Sequence, residues 1–362
     1  MTRIGIIGAG QLGQMLGYAG QRLGLECVFL DPSERPPAAT VGPVLKYSFD
    51  SEQGLAELAR EVDVITYEFE NVPVEAVRNL PEGTTVYPPV GALEFAQDRL
   101  AEKNLFQKLD IPVPGFRPVE SADDLRTASK ELGLPIVLKT RRLGYDGKGQ
   151  RVVHEDSEID AAVDELGAKD LIAEQWVPFD FEVSAIGARN ASGKIAHYPL
   201  SRNEHRNGIL HMSRAPGDYA ALQQTATDYL ERLMNELEYV GVLALELFVR
   251  DDALLANEFA PRVHNSGHWT IEGAQTSQFE NHLRAILDME PGPTDVTAPA
   301  GMLNLIGTMP EDREAFENPP CFLHDYGKEP RPGRKLGHVT VVATDPAERD
   351  QILEKLAKSL NP

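Results

Sequence analysis

The 362-residue sequence predicts a chain that mixes α/β and α+β architecture: a small doubly wound parallel sheet, then a compact α+β lid, then a β-rich region. Three observations carry this. Residues 1 to about 98 alternate strand and helix patterns, a glycine-rich loop interrupts a strand pair near residue 144, and strand patterns dominate from residue 181 onward. The expected domains are therefore 1–98, 99–182 and 183–362, the last with a small β/α subdomain from about 301.

In the first region, strands are expected at 3–7, 26–30, 62–66 and 84–87, with helices at 11–23 and 51–60. A helix over 91–109, closed by Pro112 and Pro114, leads into the second region. There the order is helix 121–132, strand 135–139, glycine loop, strand 150–153, helix 157–166 and strand 171–175. Strands at 181–187 and 194–199, a helix at 220–237 and the strand pair 241–250 and 253–259 follow. The tail from Met302 adds short strands and a final helix over 346–360.

A formal charge of −21 argues against a general nucleic-acid binder, because the phosphate backbone needs a basic face. No apolar run approaches the roughly 20 residues that span a bilayer. Cys27 and Cys321 lie far apart, with no metal-ligand spacing, so a reducing cytoplasm is the expected compartment. Walker A, Gly-x-Ser-x-Gly and zinc-ligand patterns are absent from the sequence.

Against this acidic background, Lys139 ends an apolar strand and empties into Arg141-Arg142-Leu143-Gly144-Tyr145-Asp146-Gly147-Lys148-Gly149-Gln150. Glycines that let backbone N–H groups approach, with cations beside them, suit a polyphosphate, and ATP is the expected ligand. Gly8-Ala9-Gly10-Gln11-Leu12-Gly13 follows the first strand, with Asp31 at the end of the second. This pattern fits a dinucleotide, the phosphate of another substrate, or a structural turn, since the loop itself guarantees only close backbone approach and an anion-favouring helix end. Glu68, Glu70 and Asn71 close a strand of the same sheet, where they suit ribose hydroxyls or an amine, or simply open a helix.

Glu174-Gln175-Trp176-Val177 ends a strand 35 residues after Lys139 and suits adenine recognition: backbone for the base edge, a carboxylate for the ribose, apolar side chains for the ring. Glu182 is a second candidate for the ribose. Glu246 and Glu258 sit within apolar strands of one hairpin, where carboxylates are costly unless paired or metal-bound, and hard oxygen ligands of this kind suit Mg²⁺. A two-residue turn would set Glu246 opposite Asn257. An odd-length loop or a bulge, which sets it opposite Glu258, is predicted instead. Arg262, His264, Asn265 and Ser266 follow at once on a glycine-bearing turn and suit a transferred phosphoryl group or a small oxyanion. Lys328, Arg331, Arg334 and Lys335 place four cations in eight residues, a candidate clamp for a phosphate ester.

The segments 144–150, Asn257-Glu258-Phe259-Ala260-Pro261-Arg262 and His264-Asn265-Ser266-Gly267-His268, in this order, resemble the ATP-grasp superfamily and, within it, the N5-carboxyaminoimidazole ribonucleotide synthases. The resemblance runs from Gly8 to Lys335. It implies a three-domain fold and a ligase that carboxylates aminoimidazole ribonucleotide with bicarbonate through carboxyphosphate, using ATP as co-substrate with Mg²⁺, two ions being expected. It further implies that Arg99 and Lys139 touch ATP phosphates under the loop Gly144 to Gln150, that Glu174 to Val177 read adenine, and that Glu182, His205 and Asn257 complete the nucleotide pocket. Glu246 and Glu258 would hold the metal. Gly10, Gln11, Leu12, the Glu68–Asn71 cluster, Tyr145, Ser266 and the C-terminal cations would surround the ribonucleotide, with Arg262, His264, Asn265, Tyr145 and Asp146 at the reacting groups. The family is usually a homodimer. Two positions depart from related patterns: Ala260 where many ATP-grasp enzymes carry Asn, and Val263 where proline is expected. Rival readings are a formate-dependent glycinamide ribonucleotide transformylase, a nicotinamide-dependent oxidoreductase and a non-catalytic nucleotide sensor.

Overall fold

The computed structural model describes residues 1–360 except 145–146, 168, 218, 314–315 and 317–318. Its first sheet is parallel, with strands β1 (Arg3–Ile7), β2 (Glu26–Leu30), β3 (Val44–Leu45) and β4 (Val64–Tyr67) in the order β3-β2-β1-β4. Alternate residues of β1 serve opposite layers: Ile4 and Ile6 pack with helix α1 (Gln11–Arg22), and Ile7 packs with helices α2 (Glu52–Glu61) and α3 (Val74–Arg78). The segment expected as a strand at 84–87 makes only a single bridge, Val86 with Ile65. The helix expected over 91–109 is two helices, α4 (Val90–Ala96) and α5 (Arg99–Lys108). Asp98 causes the break, because its carboxylate accepts from the N–H groups of Leu100 and Ala101 and so starts α5 afresh.

The second sheet is antiparallel, with β5 (Phe116–Val119), β6 (Ile136–Thr140), β7 (Gln150–Val153) and β8 (Leu171–Gln175) in the order β5-β8-β6-β7. Helices α6 (Ala122–Leu132) and α7 (Ile159–Leu166) bury Leu125, Ala128, Ile159 and Val163 against one face of it. Its other face is turned toward the third sheet.

That third sheet has nine strands: β9 (Phe181–Arg189), β10 (Ile195–His197), β11 (Ser201–Arg206), β12 (Ile209–Ala215), β13 (Gly241–Arg250), β14 (Ala253–Ala260), β15 (Ala300–Ile306), β16 (Cys321–Asp325) and β17 (Lys335–Val342). The main path runs β14-β13-β9-β11-β12-β15-β17-β16, with β10 on β9. The tail strands thus extend this sheet through β12 and β15. Helices α8 (Ala220–Glu236), α9 (Thr270–Gly273), α10 (Gln278–Ile286) and α11 (Pro346–Leu360) cover it.

The hairpin of β13 and β14 resolves the register question. Its connection is the two-residue turn Asp251-Asp252, both in the left-handed region at φ 50° and 58°, as a tight hairpin turn requires. Arg250 faces Ala253 and Leu247 faces Ala256, yet Glu246 faces Glu258, so Asn257 is an extra, bulged residue. The bulge restores the pairing that the even turn would have destroyed.

Candidate active site

A cleft of about 690 Å³ lies where the second sheet overhangs the third, with the C-terminal ends of the first sheet closing one side. Glu246 and Glu258 stand in its floor. The Nη1 of Arg99 donates to Glu258 Oε2 at 2.8 Å, and Nε2 of His264 lies 3.2 Å from Glu246 Oε1. Desolvation and the neighbouring Glu258 carboxylate push the Glu246 carboxyl up, whereas the Arg99 guanidinium overrides burial and holds Glu258 down. One proton is therefore retained by Glu246 more readily than by Glu258. Asn257 Oδ1, beside them, is buried without a hydrogen-bond partner among the described residues. Two carboxylates and an orphaned amide oxygen on one bulge form a donor set suited to a hard divalent cation.

His264 is kept neutral, because burial and the adjacent Arg262 both disfavour its charge. Its Nδ1 accepts from the Ser266 N–H at 3.4 Å and lies 2.8 Å from Ser266 Oγ, which leaves the Nε2 proton to face Glu246. Ser266 is fully buried behind His264 and does not line the cleft. Asn265 exchanges amide hydrogen bonds with Asn304, at 2.7 and 3.2 Å. Arg262 Nε donates to Glu70 Oε2, so strand β4's exit and the turn after β14 meet at one ion pair. Burial alone would raise the Glu70 carboxyl, but the guanidinium more than offsets it.

Under the second sheet, Lys139 is largely but not fully buried, its side chain 12% exposed, and its Nζ lies 3.0 Å from Glu174 Oε2. Glu174 itself lines the cleft and meets cations from two elements. The side chain is 2% exposed and is shared between Lys139 and Lys103, the latter at 3.5 Å. Despite burial, those two ammonium groups hold its carboxyl down to about 2. Gln175, Trp176 and Val177 continue along the cleft wall, with Val137, Val152, Leu210 and Phe248 as apolar lining. Glu182 and His205 hydrogen-bond to each other across β9 and β11 and also line the cleft.

Gly144, Gly147, Lys148 and Gln150 line the roof. Gly149 does not, but it is required there: at φ 71° a Cβ would sit 2.7 Å from Thr140 Oγ1. Tyr145 and Asp146 lie outside the described residues.

On the far side, Gln11, Leu12, Glu68, Glu70, Asn71 and Lys335 line the cleft, whereas Gly10, Lys328, Arg331 and Arg334 do not. The N–H groups of Gly10 and Gly13 both donate to the Glu68 carboxylate, at 2.5 Å for Gly13. An anion does sit at the N-terminus of α1, and it is the protein's own. Asp31 Oδ2 accepts from the Ala9 N–H at 3.0 Å, so the acid of the dinucleotide pattern is spent inside the loop. Together with a sheet of only four strands, this removes the oxidoreductase reading. Lys328 sits behind Gln11 and donates to its Oε1, Arg334 donates to the Glu329 carbonyl at 3.1 Å, and Arg331 is exposed.

Three contributors escaped the sequence reading: Lys103, Glu102 and Gln97. Gln97 Nε2 ties the carbonyls of Glu70 and Val72, at 2.7 Å each, to the start of α5. The available signal was spacing, since Arg99, Glu102 and Lys103 share one helix face.

Family descriptions match the chain in three consecutive blocks: a ribonucleotide synthetase preATP-grasp domain over residues 1–97, an ATP-grasp domain over 104–279, and a phosphoribosylaminoimidazole carboxylase C-terminal domain over 300–352. The N5-carboxyaminoimidazole ribonucleotide synthase of Pseudomonas aeruginosa is 47% identical over 345 residues, covering 95% of this chain and 96% of that protein. The crystal structure of the synthetase from Thermus thermophilus superposes with a TM-score of 0.95 at 48% identity, covering 99% of each chain. An Aspergillus clavatus synthase, solved in complex with ADP and 5-aminoimidazole ribonucleotide, superposes at 0.91 with 29% identity, covering 99% of this chain and 98% of that one. With the three family blocks in order and identity of this extent over nearly the whole length, the chain belongs to the N5-carboxyaminoimidazole ribonucleotide synthase family of ATP-grasp proteins.

Proposed function

We propose that this cleft carries out the family's reaction: 5-aminoimidazole ribonucleotide, bicarbonate and ATP give N5-carboxyaminoimidazole ribonucleotide, ADP and phosphate. The observation that carries the reading is the bulge at Asn257, which turns Glu246 and Glu258 together into the cleft beneath Lys139 and the glycine roof. ATP lies between the second and third sheets, with its phosphates toward Arg99, Lys139 and the 144–150 loop and its adenosine toward the Glu174 to Val177 segment, Glu182 and His205. Glu246, Glu258 and Asn257 Oδ1 suit Mg²⁺, with two ions proposed; bound there, the metal supplies charge neutralisation for the transferring phosphoryl group.

A bicarbonate oxygen attacks the γ-phosphorus as the bond to ADP breaks, giving carboxyphosphate. The exocyclic amine of the ribonucleotide then bonds to the carboxyl carbon, delivered by carboxyphosphate or as CO₂ released in place. Phosphate leaves and the nitrogen loses a proton. Arg262, anchored by Glu70, faces the developing oxyanion charge. Neutral His264 acts as an Nε2–H donor oriented by Ser266, not as a base. Closure of the roof excludes the water that would hydrolyse carboxyphosphate.

The reading also takes residues 1–98, 99–182 and 183–362 as three domains, a homodimer as the assembly and the cytoplasm as the compartment. Among the described residues no helix is long and apolar enough to cross a membrane. Purified protein should release ADP and phosphate only when the ribonucleotide, bicarbonate and Mg·ATP are all present. ADP release that does not depend on the ribonucleotide, or that formate sustains in place of bicarbonate, would overturn the assignment.

A further inference from the structure

A bulge is a liability where a carboxylate must face one way. Its extra residue is unpaired, and a slip by one position would restore the regular ladder while turning Glu258 to the opposite face. Three backbone groups around the bulge are held from outside the sheet, by two adjacent residues of α5. Lys103 Nζ donates to the Asn257 carbonyl at 2.7 Å and to the Ala256 carbonyl at 3.5 Å. Glu102 Oε1 accepts from the Phe259 N–H at 2.7 Å. Both side chains are almost completely buried, at 1% and 2% exposure; burial and the nearby Glu258 carboxylate push the Glu102 carboxyl up to about 8, and protonated or not its Oε1 still accepts from Phe259. Arg99, one turn earlier on the same face, holds the Glu258 carboxylate itself at 2.8 Å. Neither Lys103 nor Glu102 has a part in the chemistry outlined above.

We propose that Lys103 and Glu102 are positioning residues that lock the β14 bulge in register and thereby fix the Glu246–Glu258 pair for metal-nucleotide binding. Lys103 also reaches Glu174 on β8 at 3.5 Å, so the same ammonium group ties the bulge to the strand that overhangs it. The inference rests on the reading that Glu246 and Glu258 hold the metal.

The test compares Lys103→Met, Glu102→Leu, Glu102→Gln and Glu258→Gln in the full chain. Mn²⁺ affinity of the ADP complex is measured by titration calorimetry, and exchange of the Phe259 amide by hydrogen-exchange mass spectrometry. Lys103→Met and Glu102→Leu should weaken Mn²⁺ binding at least tenfold and speed exchange at Phe259, while Glu102→Gln, which keeps the acceptor oxygen, stays within about threefold of the native protein. Native Mn²⁺ affinity in Lys103→Met and Glu102→Leu, with Glu258→Gln impaired, overturns the bulge lock alone. Native affinity in Glu258→Gln overturns the metal reading beneath it. If Lys103→Met does not fold, the contrast between Glu102→Leu and Glu102→Gln decides the matter: equal affinities refute the lock.

Discussion

Asp98 is the place where a single charge should be felt at the roof of the cleft. Its carboxylate caps α5 through the N–H groups of Leu100 and Ala101, at 3.0 and 3.4 Å. It also receives Nε and Nη2 of Arg141, at 3.0 and 2.6 Å, just before the glycine loop. Asp98→Asn keeps an oxygen for the cap but replaces the charge that Arg141 grips. Asp98 is 3% exposed while Arg141 is partly open to solvent, so a charge-assisted bidentate pair of about 1.5–3 kcal/mol is expected at roughly 2 kcal/mol here. If that tether holds the roof in its closing position, the ATP dissociation constant rises about 30-fold in Asp98→Asn. Asp98→Ala forfeits the cap as well, about 1 kcal/mol more. A double-mutant cycle with Arg141→Met, read by ATP titration, isolates the pair. Coupling of about 2 kcal/mol supports the argument, and additivity within about 0.5 kcal/mol refutes it. The pH dependence has a definite sign. Burial would raise the Asp98 carboxyl, but Arg141 takes it below its ordinary value. The tether is therefore complete above the unfolded carboxyl value near pH 4 and weakens as pH falls through the lower folded value. The difference between native protein and Asp98→Asn should be constant from pH 5 to 8 and vanish in acid.

Burial, followed by the nearby Arg334, brings the Lys328 ammonium down to about 8. If Lys328, which stands behind Gln11 outside the cleft lining, swings onto the ribonucleotide phosphate, KM should be lowest below pH 8 and rise above it, and Lys328→Met should raise KM about tenfold and flatten that profile; a native profile flat through pH 8 speaks against the clamp. At Gly42 an added Cβ would lie 2.3 Å from the Cys27 carbonyl oxygen of β2, backbone that cannot swing aside. Gly42→Ala should cost about 1–3 kcal/mol and lower the melting temperature while leaving KM for ATP unchanged; an unaltered melting curve contradicts the close approach.

The parts of this molecule legible in sequence are those whose signal is local. β1 and β2 were readable from their apolar runs, and the hairpin of Glu246 and Glu258 from acids set among apolar neighbours. The bulge followed from parity, since both carboxylates needed one face. β11 was not legible, because Ser201-Arg202-Asn203-Glu204-His205-Arg206 carries no apolar alternation; it serves a polar cleft, with His205 bonded to Glu182. The true setting of Glu174 was equally hidden. Nothing near it in the chain announces that lysines at 103 and 139 converge on it from another helix and another strand. The Glu68 carboxylate at the glycine loop has the same character, since the partners are 55 or more positions apart.

The four-stranded antiparallel sheet is made from one uninterrupted stretch, Phe116 to Gln175, which the chain enters once and leaves once. It carries the glycine loop and Lys139, while the glutamate pair and the C-terminal cations belong wholly to the nine-stranded sheet and its turns. The stretch is therefore a cassette. Transplanted from a relative, it would exchange the roof over the nucleotide without disturbing the floor, provided the graft brings an arginine for Asp98 and a glutamate for Lys103.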